Sequence, residues 1–408
     1  MILREEAKAE VLRITFPGQF MTGHVAANAS FWQTCVLPRH LVSCGLAPLA
    51  LLFVVGCQTS RTPFYPIGIY WDQSTNELPV LRDAGFNLVH GAANRAFLDA
   101  ANRSSLRVLA SPGASAGTNF DAERVRRTVT EFDSHPALWA WYVIDEPDLN
   151  AVSPKDVHDA NRFIKNLPGT KPTALVLYQG YQSLHYANLS DILMIDRYPI
   201  PWLPLANFPQ HVRMARLALG PEKPLIAVIQ AFDWSKDSEG LPGERNLRPP
   251  TYDELRCMTY CALVQRANGL FYGAWHIAEN PKLWQSLTNV VSEVNDRLPL
   301  FQAEHIWWPY QDAFRDPSRR FNKALESSIM PALLRVKQGN ARVPNGDYVL
   351  AVNNTDESHV YRFELPRPMA GEMPVLGEGR EITIGGNWVE DEFVPYAIHV
   401  YGPFGRKE

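Results

Sequence analysis

From residue 64 onward, short and nearly unbroken apolar runs alternate with amphipathic stretches. The runs are FYPIGIYW (64–71), FNLVHGA (86–92), LRVLAS (106–111) and ALWAWYVIDE (137–146), then TALVLYQG (173–180), DILMIDRY (191–198), LIAVIQAF (225–232) and GLFYGAW (269–275). A run that is apolar at both odd and even positions predicts a parallel strand buried on both faces. The segments between them carry helix punctuation. Asp121 and Ser153 stand where N-caps are wanted, and Ser153 is followed by Pro154 at the first helical position. Thr251 with Glu254 reads as a capping box. Gly85 and Gly169 are expected to end helices in the left-handed conformation. Eight strand–helix units in about 240 residues predict an α/β chain, a (β/α)8 TIM barrel over 64–303. A doubly wound sheet is the weaker alternative, because no glycine-rich phosphate loop follows the first strand.

After residue 303 the period changes. DYVLAVNN, HVYRFELP, REITIGG and PYAIHVYG alternate polar with apolar and are separated by Asn-Gly, Gly-Glu-Gly and Gly-Gly. They predict antiparallel strands in a small β-sandwich over 304–408. Trp307, Trp308 and Trp388 are expected to join that domain to the barrel.

The N-terminal part reads as an address. Residues 41–56, LVSCGLAPLALLFVVG, are apolar and end at Cys57. The run is short for a membrane span of about 20 residues and suits a signal-peptide core. Val54-Val55-Gly56-Cys57 resembles the lipobox of bacterial lipoproteins, which implies diacylation of Cys57 and removal of the preceding residues. On that reading 1–57 is extension and signal peptide, and 58–63 is a tether. The mature protein is then a lipid-anchored, periplasmic or surface-facing component of the bacterial envelope. Cys35 and Cys44 fall in the removed segment, leaving Cys257 and Cys261 four apart on one helical face. Two packed thiols are expected there, since the spacing suits neither a usual disulfide nor zinc.

Composition narrows the function. With 39 Lys and Arg against 43 Asp and Glu, the formal net charge is −4 and no basic run occurs, which argues against nucleic acid. No HExxH or CxxC spacing appears, so neither metal nor other cofactor is expected. A monomer is expected. The 11 Trp, 15 Tyr and 19 Phe supply flat apolar faces suited to sugar rings, although most belong to the core.

In such a barrel the reactive side chains lie at the C-terminal ends of the strands. Those ends carry Tyr70-Trp71-Asp72, Asp145-Glu146-Pro147, Asp196-Arg197-Tyr198, Gln230-Ala231-Phe232 and Trp275-His276. Carboxylates, aromatics and an amide converge at one mouth, the set that glycoside hydrolysis needs. Adjacent Asp145 and Glu146 beside Trp141 should repel each other and raise at least one pKa. Trp71, Tyr198, Gln230, Trp275 and His276 are candidate substrate contacts. Arg197 is expected to pair with a neighbouring carboxylate, and Glu279 to be a solvated loop acid.

The run 135–147, HPALWAWYVIDEP, resembles strand 4 of clan A glycoside hydrolases. These are (β/α)8 enzymes that place Asn-Glu-Pro there, the Glu acting as general acid/base. The resemblance gives Glu146 that role, puts Asp145 where the clan has Asn, and covers the barrel plus a β-domain. The clan's nucleophilic Glu ends strand 7, where this chain has Gln230, and an amide cannot form the glycosyl ester. Three alternatives follow. The second carboxylate lies elsewhere, at Asp196, Asp233, Asp72 or Glu279, with room for an inverting water. Or the substrate supplies the nucleophile, as the Asp-Glu pair resembles that of substrate-assisted N-acetylhexosaminidases. Or the barrel binds carbohydrate without cleaving it.

Overall fold

A computed structural model describes residues 64–70, 74–117, 119–169, 171–236, 247–314, 328–364, 371–386 and 388–404. The extension, Cys57, Trp71 and Asp72 lie outside the described residues. Eight strands close a parallel barrel in sequence order. They are β1 (Ile67–Tyr70), β2 (Leu88–Gly91), β3 (Arg107–Ala110), β4 (Leu138–Ile144), β5 (Thr173–Leu177), β6 (Ile192–Asp196), β7 (Leu225–Gln230) and β8 (Gly269–Gly273). β8 pairs back onto β1, so the sheet has no edge, and the doubly wound alternative falls.

Each strand is followed by a helix: α1 (Leu78–Asp83), α2 (Arg95–Arg103), α3 (Ala122–Phe132), α4 (Pro154–Lys165), α5 (Ser183–Tyr186), α6 (Asn207–Leu219), α7 (Tyr252–Val264) and α8 (Pro281–Asp296). The expected caps form. Asp121 and Ser153 accept backbone N–H bonds from Arg124 and Asp156, and Thr251 with Glu254 makes both bonds of the capping box. Gly85 is left-handed, with φ +95°. Gly169 is not: it lies against the Asp133 carboxylate, only 2.7 Å from where a Cβ would stand, so close approach is its reason.

Inside the barrel, Leu88, Leu109, Ala140, Val176, Met194, Val228 and Phe271 fill the lumen. Phe271 occupies the space opposite Gly68, where an added Cβ would sit 2.3 Å from its ring. The barrel is thus a packed core with its chemistry confined to the rim.

The C-terminal part is a six-stranded antiparallel sheet beside a two-stranded one, consistent with the expected β-sandwich. The larger runs β14 (Arg380–Ile384), β13 (Gly371–Val375), β16 (Ile398–Phe404), β11 (Gly346–Asn353), β10 (Ile329–Val336) and β9 (Glu304–Trp307). The smaller pairs β12 (His359–Glu364) with β15 (Trp388–Phe393). Residues 63–408 form one compact unit. Helix α7 joins the two parts: it is buried on nearly every side, and Cys257 Sγ donates to the Asn353 carbonyl at 3.3 Å. Cys257 and Cys261 are packed thiols 3.8 Å apart, as expected. Trp308 is buried against Leu217 of α6 and so joins the barrel to the sheet. Trp307 packs into the sandwich core instead. Trp388 departs from expectation: it is an exposed ring on β15 beneath the Arg362 guanidinium, 4.3 Å away.

Candidate functional site

Side-chain alternation determines what reaches the mouth. Ile192 and Met194 of β6 face the lumen, so two residues on Asp196 tops the same face. Tyr70 of β1 and Tyr142 of β4 top the lumen likewise, and His90 follows Leu88 on the inward face of β2. Beyond β4 the chain turns sharply, and Glu146 takes φ +40°, a conformation that L-residues rarely adopt. Such strain clusters where a side chain must be aimed at a site.

A hydrogen-bonded line crosses the floor. The Tyr70 and Tyr142 hydroxyls are 3.0 Å apart, and Tyr142 donates to Asp145 Oδ1 at 2.5 Å. Asp145 is raised above the usual carboxylate range by the surrounding protein, with the Tyr142 bond pulling the other way. Its residue surface remains exposed at the mouth. Burial raises Glu146 to about 7, helped by the negative charge of Asp145 and opposed by a hydrogen bond with Asp196. Asp196 is pushed well up by burial, then by the charges of Glu146 and Asp145. Its Oδ2 accepts the Tyr198 hydroxyl at 3.3 Å, while Oδ1 is buried with no donor among the described residues. Asp145, Glu146 and Asp196 thus form one carboxyl cluster in which all three are shifted upward.

Aromatic rings form one wall. Trp275 stacks on Tyr70 with centroids 5.7 Å apart and planes at 18°, and meets Tyr198 and Phe232 edge-on at 5.7 and 4.7 Å. It remains 36% exposed, which leaves ring surface for a ligand. Gly273 makes this possible: a Cβ there would sit 2.9 Å from the Trp275 ring and 3.2 Å from the Tyr198 hydroxyl.

Several expected contacts take other roles. Gln230 is fully buried. Its Nε2 donates to the Ile200 carbonyl at 2.8 Å and its Oε1 accepts the Ile200 N–H at 3.0 Å, so the amide pins the loop after β6. Arg197 pairs with no carboxylate among the described residues. It donates from Nε to Asn207 Oδ1 at 2.6 Å and lies 4.4 Å over the Tyr178 ring. His276 sits in the left-handed conformation, 3.6 Å from Glu279, which Lys236 approaches to 3.9 Å. Asp233 accepts the Ser235 N–H at 3.0 Å.

Tyr142 and His90 were not singled out by the sequence reading, and Tyr70 was named only as part of the β1 end. Burial lowers His90 to about 4, so its imidazole is neutral, with its ring 5.2 Å from both tyrosine rings. The signal for them was parity: each lies on the lumen face near the C-terminal end of its strand. Asp148 is a scaffold carboxylate that accepts the Tyr178 and Gln179 N–H groups at 3.1 and 2.8 Å and ties β4 to β5. Among the described residues no group of three His, Cys, Asp or Glu has metal-site geometry.

No sequence family and no curated protein matches the chain. Solved structures do. A catalytic mutant of a family 42 β-galactosidase from G. stearothermophilus superposes with a TM-score of 0.54 at 9% identity, over 84% of this chain and 98% of that one. A family 5 glycoside hydrolase from Bacteroides vulgatus gives 0.53 at 13%, over 83% and 88%. A structure described as a putative α-galactosidase/melibiase from Bacteroides fragilis gives 0.51 at 9%, over 83% and 78%. At such identities the likeness is one of fold: the chain carries the (β/α)8 barrel on which these glycoside hydrolases are built.

Proposed function

We propose that the protein is a glycoside hydrolase acting on oligo- or polysaccharide, with Glu146 as proton donor. The observation that carries this reading is Glu146 itself: a strained, half-buried carboxyl beside Asp145, raised to about 7 by burial and by that neighbour's charge. A carboxyl of that pKa still holds its proton near neutrality and can deliver it to the glycosidic oxygen as the C–O bond breaks. Asp145, oriented by Tyr142, is the charge best placed to support the positive charge growing on the sugar or the acetamido group of an N-acetylhexosaminide. Water then adds to the anomeric carbon, and its released proton restores Glu146. Because β7 ends in Gln230, the reading uses no glycosyl ester on that strand.

A second reading, a barrel that binds glycan without cleaving it, is favoured by the commitment of Gln230 to Ile200. The test is reducing-end release from a panel of polysaccharides and aryl glycosides, N-acetylhexosaminides included, by wild type and Glu146→Gln. Release that disappears in the variant supports hydrolysis. Binding by both proteins with release by neither refutes it.

The envelope location is proposed on the same footing. Cys57 is the acylation site, so labelled palmitate should enter the wild-type protein in bacterial cells and not Cys57→Ala. Equal labelling would reject the anchor.

A further inference from the structure

Beyond the carboxyl cluster, the aromatic wall continues away from the mouth. Phe232, which meets Trp275, also meets Trp234 edge-on at 4.8 Å, and Trp234 meets Trp202 at 5.0 Å. Trp202 comes from the loop after β6, and Trp234 opens the short turn Trp234–Lys236 after β7. Trp202 is 36% exposed, an amount a folded core does not need and a ligand face does. Trp234 carries a second signal: its indole Nε1 is buried with no hydrogen-bond acceptor among the described residues. An orphan donor of this kind costs stability unless something supplies the acceptor.

The edge of this strip is polar. Lys236 and His276 face Glu279 at 3.9 and 3.6 Å, separations too long to exhaust their hydrogen-bonding capacity. Flat apolar rings bordered by unspent donors and acceptors match the two faces of a sugar, C–H surface against the rings and hydroxyls toward the edge.

We propose that Trp202 and Trp234 form a distal glycan subsite, continuous through Phe232 with Trp275, so that the substrate is a saccharide chain and not a single terminal sugar. The inference rests on the hydrolase reading for the identity of its ligand and deepens it. Continuity with the mouth selects a glycan over a second copy of this chain, because the strip joins through Phe232 the Trp275 ring, which stacks on Tyr70, itself linked through Tyr142 to Asp145.

The test compares full-length wild type, Trp202→Ala, Trp202→Phe and Trp234→Ala. Affinity electrophoresis would use gels containing xylan, laminarin, galactomannan, pullulan or glycol chitin, alongside turnover of 4-nitrophenyl monoglycosides. For the polysaccharide that retards wild type, Trp202→Ala and Trp234→Ala should each weaken binding by about five-fold or more, while Trp202→Phe keeps most of it. The loss should be larger for polysaccharide than for monoglycoside turnover, with melting temperature held within a degree or so as the check on folding. Equal retardation of Trp202→Ala and wild type overturns the subsite, as does an equal loss on short and long substrates. A concentration-dependent dimer that Trp202→Ala abolishes overturns it too, in favour of the second copy. Absence of hydrolysis with binding that still depends on Trp202 overturns the hydrolase reading alone and leaves the subsite standing.

Discussion

Glu146→Gln should make the protein more stable at alkaline pH, an effect that needs no substrate. In the folded chain Glu146 is raised to about 7 from an ordinary 4.5, chiefly by burial and then by the charge of Asp145. Between these values the folded state holds a proton that the unfolded state has released, so stability falls as pH rises through that window. Below about 4.5 there is no penalty; above about 7 it is complete. A shift of ~2.5 units corresponds to roughly 3.4 kcal/mol at 1.36 kcal/mol per unit, and partial exposure to solvent brings the expected value to roughly 2–3 kcal/mol. Glutamine keeps the size, the left-handed backbone and a hydrogen bond to Asp196, so the substitution isolates the charge. Removing that charge also eases ionisation of Asp145 and Asp196, whose shifts share its sign. Melting curves of both proteins from pH 4.5 to 8.5 should coincide at the acid end and separate by a few degrees at the alkaline end. A variant no more stable at pH 8 than wild type, or separated equally at pH 4.5, would refute the account of a carboxyl held protonated by its surroundings.

Other expectations follow from the same geometry. Asp145→Asn removes the second cause of the Glu146 shift, so the alkaline limb of a pH–rate profile should move to lower pH by less than half of the full shift, burial being the larger cause. An unmoved limb would detach Asp145 from Glu146. Gln230→Ala leaves the buried Ile200 N–H and carbonyl without their partners and should cost roughly 1–3 kcal/mol in denaturant unfolding. A cost within error of zero would mean that the loop is held by other contacts. Gly273→Ala should displace the Trp275 ring and weaken glycan binding several-fold while costing ~1–3 kcal/mol of stability, read by affinity electrophoresis and melting.

Much of the barrel was legible because parallel strands buried on both faces leave continuous apolar runs that other folds seldom repeat eight times. The caps at Asp121, Ser153 and Thr251 were legible because they are local. What the sequence hid was chosen by long-range packing. Tyr70, His90 and Tyr142 look like core residues, and only lumen parity at a strand end distinguishes them. Gln230 looked like a site residue because it occupies the right strand end, yet its partner, Ile200, lies thirty residues away on another loop. β10 was missed although β11, which was found, is as fully buried; Pro331 within β10 argues against a strand on sequence alone. Trp202 and Trp234 sit in loops, where nothing in the sequence says that two rings will meet.

The central claim, that Glu146 donates the proton to the leaving oxygen, is tested most directly by the dependence of the Glu146→Gln variant on leaving group. On the glycone that wild type prefers, kcat/KM would be measured for a 2,4-dinitrophenyl glycoside, which departs without protonation, and for a methyl glycoside, which cannot. The account predicts near-normal cleavage of the first and a loss of roughly 100-fold or more on the second. An equal loss on both, or none on either, would contradict it.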